Sequence, residues 1–250
     1  MDLGVSGRVG LVGGATQGIG RAVAEALIAE GVRVAITARD GERTASVAAE
    51  IGAEAGLGWD TGDIDAAAGL VEAVEQRVGP IDILVTNTGG PAPGSDPLAF
   101  TDAQWEQAHR NLVLAPIALL RRVLPGMRQR GWGRVVGIGS TSVREPIEAL
   151  MLSNAERSAA LAAYKTLARE VAGDGVTVNT LLSGQIATAR LVGLYGSIEA
   201  AEARAAQTVP VGRIGRPEEM AWAAAFLCSE RAAYITGTAI AVDGGVLRGI

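Results

Sequence analysis

Three glycines carry the first chemistry legible in this chain. In Gly14-Ala15-Thr16-Gln17-Gly18-Ile19-Gly20 they stand at positions 14, 18 and 20, directly after the short apolar run Arg8 to Gly13 and directly before a helical pattern from Arg21 to Glu30. That order reads as strand, tight turn and helix. Glycines at these places let the backbone turn sharply and let a pyrophosphate approach the helix N-terminus, where unpaired N–H groups and the helix dipole favour negative charge. A plain strand-to-helix turn uses the same residues, so the motif by itself leaves both readings open. Other residue types offer less. His109 is the only histidine and Cys228 the only cysteine, which leaves little for a multi-histidine metal site, a serine–histidine triad or an internal disulfide. No metal is expected. Cys228 falls in the helical run Met220 to Ser229 and reads as a small apolar packing residue, and His109 as a surface or interface residue.

The elements that must position such a turn follow a regular alternation. Strand-like runs at about 8–13, 32–38, 56–59, 81–86, 133–139, 175–181 and 238–242 are separated by helical patterns at about 18–30, 41–53, 65–78, 101–128, 148–172 and 216–229. Strands separated by helices predict an α/β fold, a parallel sheet with right-handed crossovers and helices on both faces. There are no repeats, linkers or low-complexity stretches. The segment 188–211 breaks the alternation, and its plainest reading is a surface loop with one short helix, Ile198 to Gln207.

Composition narrows the class of partner. The chain has 250 residues, 48% hydrophobic and 20% charged, enough to bury one large core and ordinary for one α/β domain spanning 1–250. Twenty-two basic against 27 acidic residues give a net charge of −5 with no basic run, which argues against a nucleic-acid backbone or an anionic membrane as partner. No apolar stretch approaches the ~20 residues of a membrane span, and the start, Met1-Asp2-Leu3-Gly4, lacks the basic and apolar regions of a signal peptide. A soluble, cytoplasmic protein is expected.

Further segments join the glycine turn in one order. They are Thr86-Asn87-Thr88-Gly89, Asn111, Ser140, Val176-Thr177-Val178-Asn179, Gly212 to Glu219, Tyr234-Ile235-Thr236-Gly237 and Val242-Asp243-Gly244-Gly245. Together they resemble the short-chain dehydrogenase/reductase family over essentially the whole chain, with the 3-oxoacyl carrier-protein reductase type the nearest look. The resemblance implies a Rossmann-type doubly wound sheet of about seven parallel strands, and makes 188–211 the mobile lid over the substrate. It also implies a nicotinamide cofactor held by Gly14, Thr16, Gln17, Gly18, Ile19 and Gly20. Asp60 would meet the adenine amino group, Asn87 and Gly89 would line the adenosine side, and Ile186 and Thr188 would contact the nicotinamide end. Ser183 departs from the family's Pro-Gly start at this last segment.

Cofactor choice rests on Ala38-Arg39-Asp40 at the end of the second strand. A carboxylate there accepts hydrogen bonds from the adenosine ribose and selects NAD, whereas an arginine pairs with a 2′-phosphate. Arg39 favours NADP. Asp40, and Gln17 where NADP-preferring relatives often carry a second basic residue, keep NAD possible.

The family's acid/base pair, Tyr-x-x-x-Lys, is where the chain departs. Counting back from Lys165-Thr166-Leu167-Ala168-Arg169-Glu170, and counting 13 forward from Ser140, both place the tyrosine on Ser153 and the lysine on Arg157. Four residues apart, the two share a helix face. By resemblance the tetrad is Asn111, Ser140, Ser153 and Arg157. A serine hydroxyl is a far weaker acid than a phenol of pKa about 10, and an ordinary arginine, above about 12, donates no proton at neutral pH. Arg157 can still bind ribose hydroxyls and stabilise a developing alkoxide. Tyr164 lies 11 residues beyond Ser153, about 16 Å along a helix at ~1.5 Å per residue, too far to substitute. Tyr195 in the lid is the one candidate replacement donor, against a packing role there, and Tyr234 reads as structural.

Two function classes follow. One is an NADP-dependent oxidoreductase acting on a small or carrier-bound ketone or alcohol. The other keeps the fold, with or without the nucleotide, but performs no hydride transfer, serving as a binding partner or a lyase-type enzyme. Ala155, Ala159, Ala160, Ala162 and Ala163 permit close helix approach, and in the family this helix packs against its symmetry mate, so a homodimer or homotetramer is expected.

Overall fold

The computed structural model describes residues 2–249. Seven strands form one parallel sheet: β1 Val9–Gly13, β2 Arg33–Ala38, β3 Ala55–Gly58, β4 Ile83–Thr86, β5 Gly133–Ser140, β6 Val176–Ser183 and β7 Ala239–Val242. Their order across the sheet is β3-β2-β1-β4-β5-β6-β7. The chain thus winds outward one way from β1 and the other way from β4. The two halves meet at the β1–β4 pair, where Gly10 pairs with Ile83 and Val12 with Val85, the switch point beyond whose carboxyl ends doubly wound sheets bind their ligands.

The strands bury both faces, and alternation along each decides which face a residue serves. Val12, Ile36, Ile83, Val85, Val136, Ile138 and Leu181 join a core formed with α1 (Gly18–Ala29), α2 (Gly41–Ile51) and α9 (Pro217–Leu227). Their neighbours Leu11, Ala35, Leu84, Val135 and Val178 join a second core with α3 (Ala67–Arg77), α5 (Ala115–Arg130) and α6 (Met151–Val171). This is why the strand sequences read as continuous apolar runs rather than alternating ones. Leu27 and Met220, fully buried where α1 meets α9, each contribute about 1.5–3 kcal/mol by leaving water.

The helical pattern expected over 101–128 is broken. It begins as α4 (Asp102–His109), opened by a capping box between Thr101 and Gln104, widens into a π-helical turn at Arg110–Leu114 and continues as α5. Pro116, with no N–H and a ring that crowds the preceding turn, stands directly after the wide turn. The segment expected as a loop with one helix holds two: α7 (Ala189–Tyr195), capped by Thr188, and α8 (Ile198–Thr208), capped by Ser197. Leu191, Ala201, Ala205, Val209 and Ile214 give this pair a small apolar core of its own. Among the described residues no helix is long and apolar enough to cross a membrane.

Candidate active site

The glycine turn is built as a cradle. Gly14 and Gly18 have φ of 57° and 58°, the left-handed region that favours glycine. A Cβ on Gly20 would stand 2.3 Å from the Gly14 carbonyl oxygen, so only glycine lets helix and loop approach this closely. Asn87, just past β4, holds the turn from the side, its Nδ2 donating to the carbonyls of Gly13 and Gly14 at 3.3 and 3.2 Å. Gln17 takes the N-cap position of α1, yet no side chain caps the helix. Its first N–H groups are left for an anion, so the cradle fits a pyrophosphate. Thr188 faces Gly18 from the lid side, its methyl 3.2 Å from where a Cβ would sit. A cleft of about 390 Å³ runs between Gln17, Gly18 and Arg21 on one side and Ala187 to Ala189, Val192, Pro217 and Glu218 on the other.

Beside the cradle, Arg39 is exposed at the end of β2, and Asp40 is engaged as the N-cap of α2, its carboxylate accepting from the Arg43 N–H at 3.0 Å. The same cap swings the Arg43 side chain back toward the turn, where its Nη2 donates to Gln17 Oε1 at 3.3 Å. Arg43 is a residue that sequence reasoning missed. Its signal was the Asp at a helix start, which fixes where the first-turn side chains project. Asp60 is exposed after β3 and accepts from the Gly62 N–H, Gly89 faces open space, and Ile186 is buried and bridged to Gly215.

The expected tetrad positions gather around α6, but not as one bonded network. Ser153 and Arg157 are joined directly, Arg157 Nε donating to Ser153 Oγ at 3.2 Å. The guanidinium also reaches the ends of two central strands, donating to the Ile138 carbonyl at 2.8 Å and the Thr88 carbonyl at 3.4 Å. Ser140, at the end of β5, caps the short turn that follows, its Oγ accepting from the Ser142 N–H. Asn111 sits in the π-helical turn, and its Oδ1 accepts from Thr61 Oγ1 at 3.0 Å and Gln107 Nε2 at 2.9 Å rather than from any tetrad partner. The loop delivering α6 contains Ala149, the one described non-glycine residue at positive φ, 61°, whose carbonyl accepts from the Gly94 N–H.

Burial, and then the nearby charge of Arg190, pull the Arg157 pKa down to about 10. It remains a cation at neutral pH. Arg190, in the first turn of α7, is half-buried, its pKa lowered by desolvation, and its Nη1 donates to the Gly90 carbonyl at 3.3 Å. Sequence reasoning did not single it out, because an arginine in a lid helix has no pattern to mark it.

The tyrosines divide clearly. Tyr164 turns its hydroxyl to Thr86 Oγ1, 2.8 Å away at the end of β4, and burial pushes its pKa up to about 12. Its ring lies over Gly137, where a Cβ would clash at 2.2 Å. Tyr195 closes α7 with its side chain exposed, and Tyr234 is fully exposed. His109, largely exposed, pairs with the buried carboxylate of Glu156, Nδ1 to Oε2 2.8 Å. Cys228 is fully buried, and burial lifts its thiol to about 12.

Residues 14–247 match the profile of a family described as enoyl-(acyl carrier protein) reductase. The chain is 34% identical over 244 residues to the 3-oxoacyl-(acyl-carrier-protein) reductase of Vibrio harveyi, covering 97% of this chain and 98% of that one. It is also 34% identical over 230 residues to a Xanthobacter autotrophicus protein named inactive 2-(S)-hydroxypropyl-CoM dehydrogenase 2, covering 90% and 99%. The fold superposes on L-sorbose reductase from Gluconobacter frateurii, solved with NADPH and L-sorbose, with a TM-score of 0.91, 32% identity and full coverage of both chains.

Proposed function

This chain belongs to the short-chain dehydrogenase/reductase family, and from that premise we propose that it is an NADP-dependent oxidoreductase with an atypical active site. Its substrate would be a small or carrier-bound ketone or alcohol, as the name of the Vibrio relative suggests. The observation that carries this reading is the Ser153–Arg157 pair: joined on one face of α6, it reaches the strand ends beside a glycine cradle that fits a dinucleotide. The reading assigns cofactor contacts to Gly14, Thr16, Gln17, Gly18, Ile19, Gly20, Arg39, Asp60, Asn87, Gly89, Arg157, Ile186 and Thr188.

When bound, the nicotinamide supplies or accepts the hydride. Arg157 presents a fixed positive charge to a substrate oxygen as negative charge develops on it, an effect strengthened by the partly dry surroundings. Ser153 accepts a bond from Arg157 Nε, which leaves its own hydroxyl proton free to point at the substrate. As a weak acid it passes a proton from water rather than supplying one as a phenol does. Ser140 orients the substrate oxygen and Asn111 holds water behind it. NADP over NAD is supported by Arg39 and Arg43 on the rim and by the use of the Asp40 carboxylate as a helix cap. The exposed Ala155, Ala159 and Ala162 on α6 support assembly as a homodimer or homotetramer.

A non-redox binding protein or lyase on the same fold is the second reading, favoured by the weak acidity of Ser153 and by the name of the Xanthobacter relative. Titration with NADPH and NADH, followed by cofactor consumption over a panel of carbonyl compounds, tests the proposal. Tight NADPH binding with slow consumption supports it. Binding without consumption favours the second reading.

A further inference from the structure

We propose that Arg157 and Arg190 form a two-arginine clamp for a carboxylate, so that the substrate of the site proposed above is an oxo acid, or the corresponding hydroxy acid, rather than a neutral ketone or alcohol. Three observations carry this. The two guanidiniums come from different elements, α6 and α7, and close on one short stretch: Arg157 on the Thr88 carbonyl at 3.4 Å, Arg190 on the Gly90 carbonyl at 3.3 Å. Neither joins any ion pair among the described residues, although seven other basic residues do, including Arg21 near the glycine turn with Glu25 and Glu50. Both are partly withdrawn from water.

Two like charges held near each other over the segment 88–90, with no described acid paired to either, destabilise the fold unless something anionic joins them. Arg190 commits a single N–H of its five to a described bond, and that bond is long. The uncommitted N–H groups of Arg190 suit the planar, two-oxygen geometry of a carboxylate, and Arg157, though tied to Ser153, Ile138 and Thr88, adds its charge and its remaining Nη protons. The clamp rests on the reading of the Ser153–Arg157 region as the substrate site.

The test uses the full chain and two probes, 3-oxobutanoate and its methyl ester, which differ by one charge and one methyl group, with binding measured by calorimetry in the presence of NADP and in its absence. The clamp predicts that the acid binds at least ~10-fold more tightly than the ester, the ratio for one charge-assisted interaction of about 1.4 kcal/mol. Arg190→Met should remove most of that preference while leaving ester and NADPH affinities within about two-fold, and Arg190→Lys should restore part of it. Equal affinity of wild type for acid and ester overturns the clamp without any variant. Loss of NADPH affinity in Arg190→Met also overturns it, because Arg190 would then be a contact to the cofactor's own phosphates. Failure of the oxidoreductase reading is distinguishable: acid would still be preferred over ester while no cofactor is consumed with either.

Discussion

At the scale of single residues, the account turns on our proposal that Ser153 and Arg157 stand where the family carries a phenol and an ammonium. Arg157 is tied to Ser153, Ile138 and Thr88, so its charge is placed but its protons are partly spent. If the missing part is the proton donor, Ser153→Tyr with Arg157→Lys raises turnover on a carbonyl substrate, by 10-fold or more given the ~10²–10⁴ that a positioned acid contributes. Steady-state kinetics of the single and double variants check this. With tyrosine already at 153, a fall on Arg157→Lys would mean instead that the forked guanidinium is needed. For the cofactor, Arg39→Ala weakens NADPH by about 1.5–3 kcal/mol and leaves NADH nearly unchanged in fluorescence titrations. Equal loss for both would remove the preference, and Arg43→Ala should act in the same direction because its side chain turns toward Gln17.

Among the elements, the glycine turn and the seven strands were legible because glycine spacing and apolar runs are local signals. The π-helical turn at Arg110–Leu114 was not, since one wide turn inside a long helical pattern shifts the periodicity too little to be read. Nor was α7, whose seven residues fall below the length at which a period declares itself. Ser153 and Arg157 are read as the pair positions by counting from Ser140 and Lys165, and their hydrogen bond follows from their sharing one helix face; Arg190 and Arg43 were invisible because only the fold brings them to the Gly90 carbonyl and to Gln17. The entry to α9 offers a pH test. Bonds from Arg213, then the Arg216 N–H, hold the Glu219 carboxyl at about 2 against an ordinary 4.5. A depressed carboxylate lends stability that is full above its ordinary pKa and lost as pH falls toward the folded value. Thermal unfolding of wild type and Glu219→Gln should therefore differ most above about pH 5, and the gap should narrow as pH falls and close as it passes about 2. A gap constant across that range would mean that the carboxylate's charge plays no part.

Over the whole molecule, two cores on opposite sides of one sheet fix the strand ends, and the strand ends fix the site. Exposed alanines along α6, with Trp222 and Tyr234 on the surface, leave faces suited to a second copy. Light scattering at micromolar concentration should give a multiple of the 25.5 kDa chain mass, and a monomer would return those alanines to the role of good helix formers. The central claim, that this chain transfers hydride despite Ser153 and Arg157, is tested most directly by following the label itself. The protein is incubated with deuterium-labelled NADPH and a carbonyl panel that includes oxo acids, and the alcohol products are read by mass spectrometry. The account predicts slow but stoichiometric deuterium transfer to carbon in wild type, faster with neutral carbonyls in Ser153→Tyr/Arg157→Lys. Bound NADPH with no label in any product, in wild type and variant alike, would contradict it.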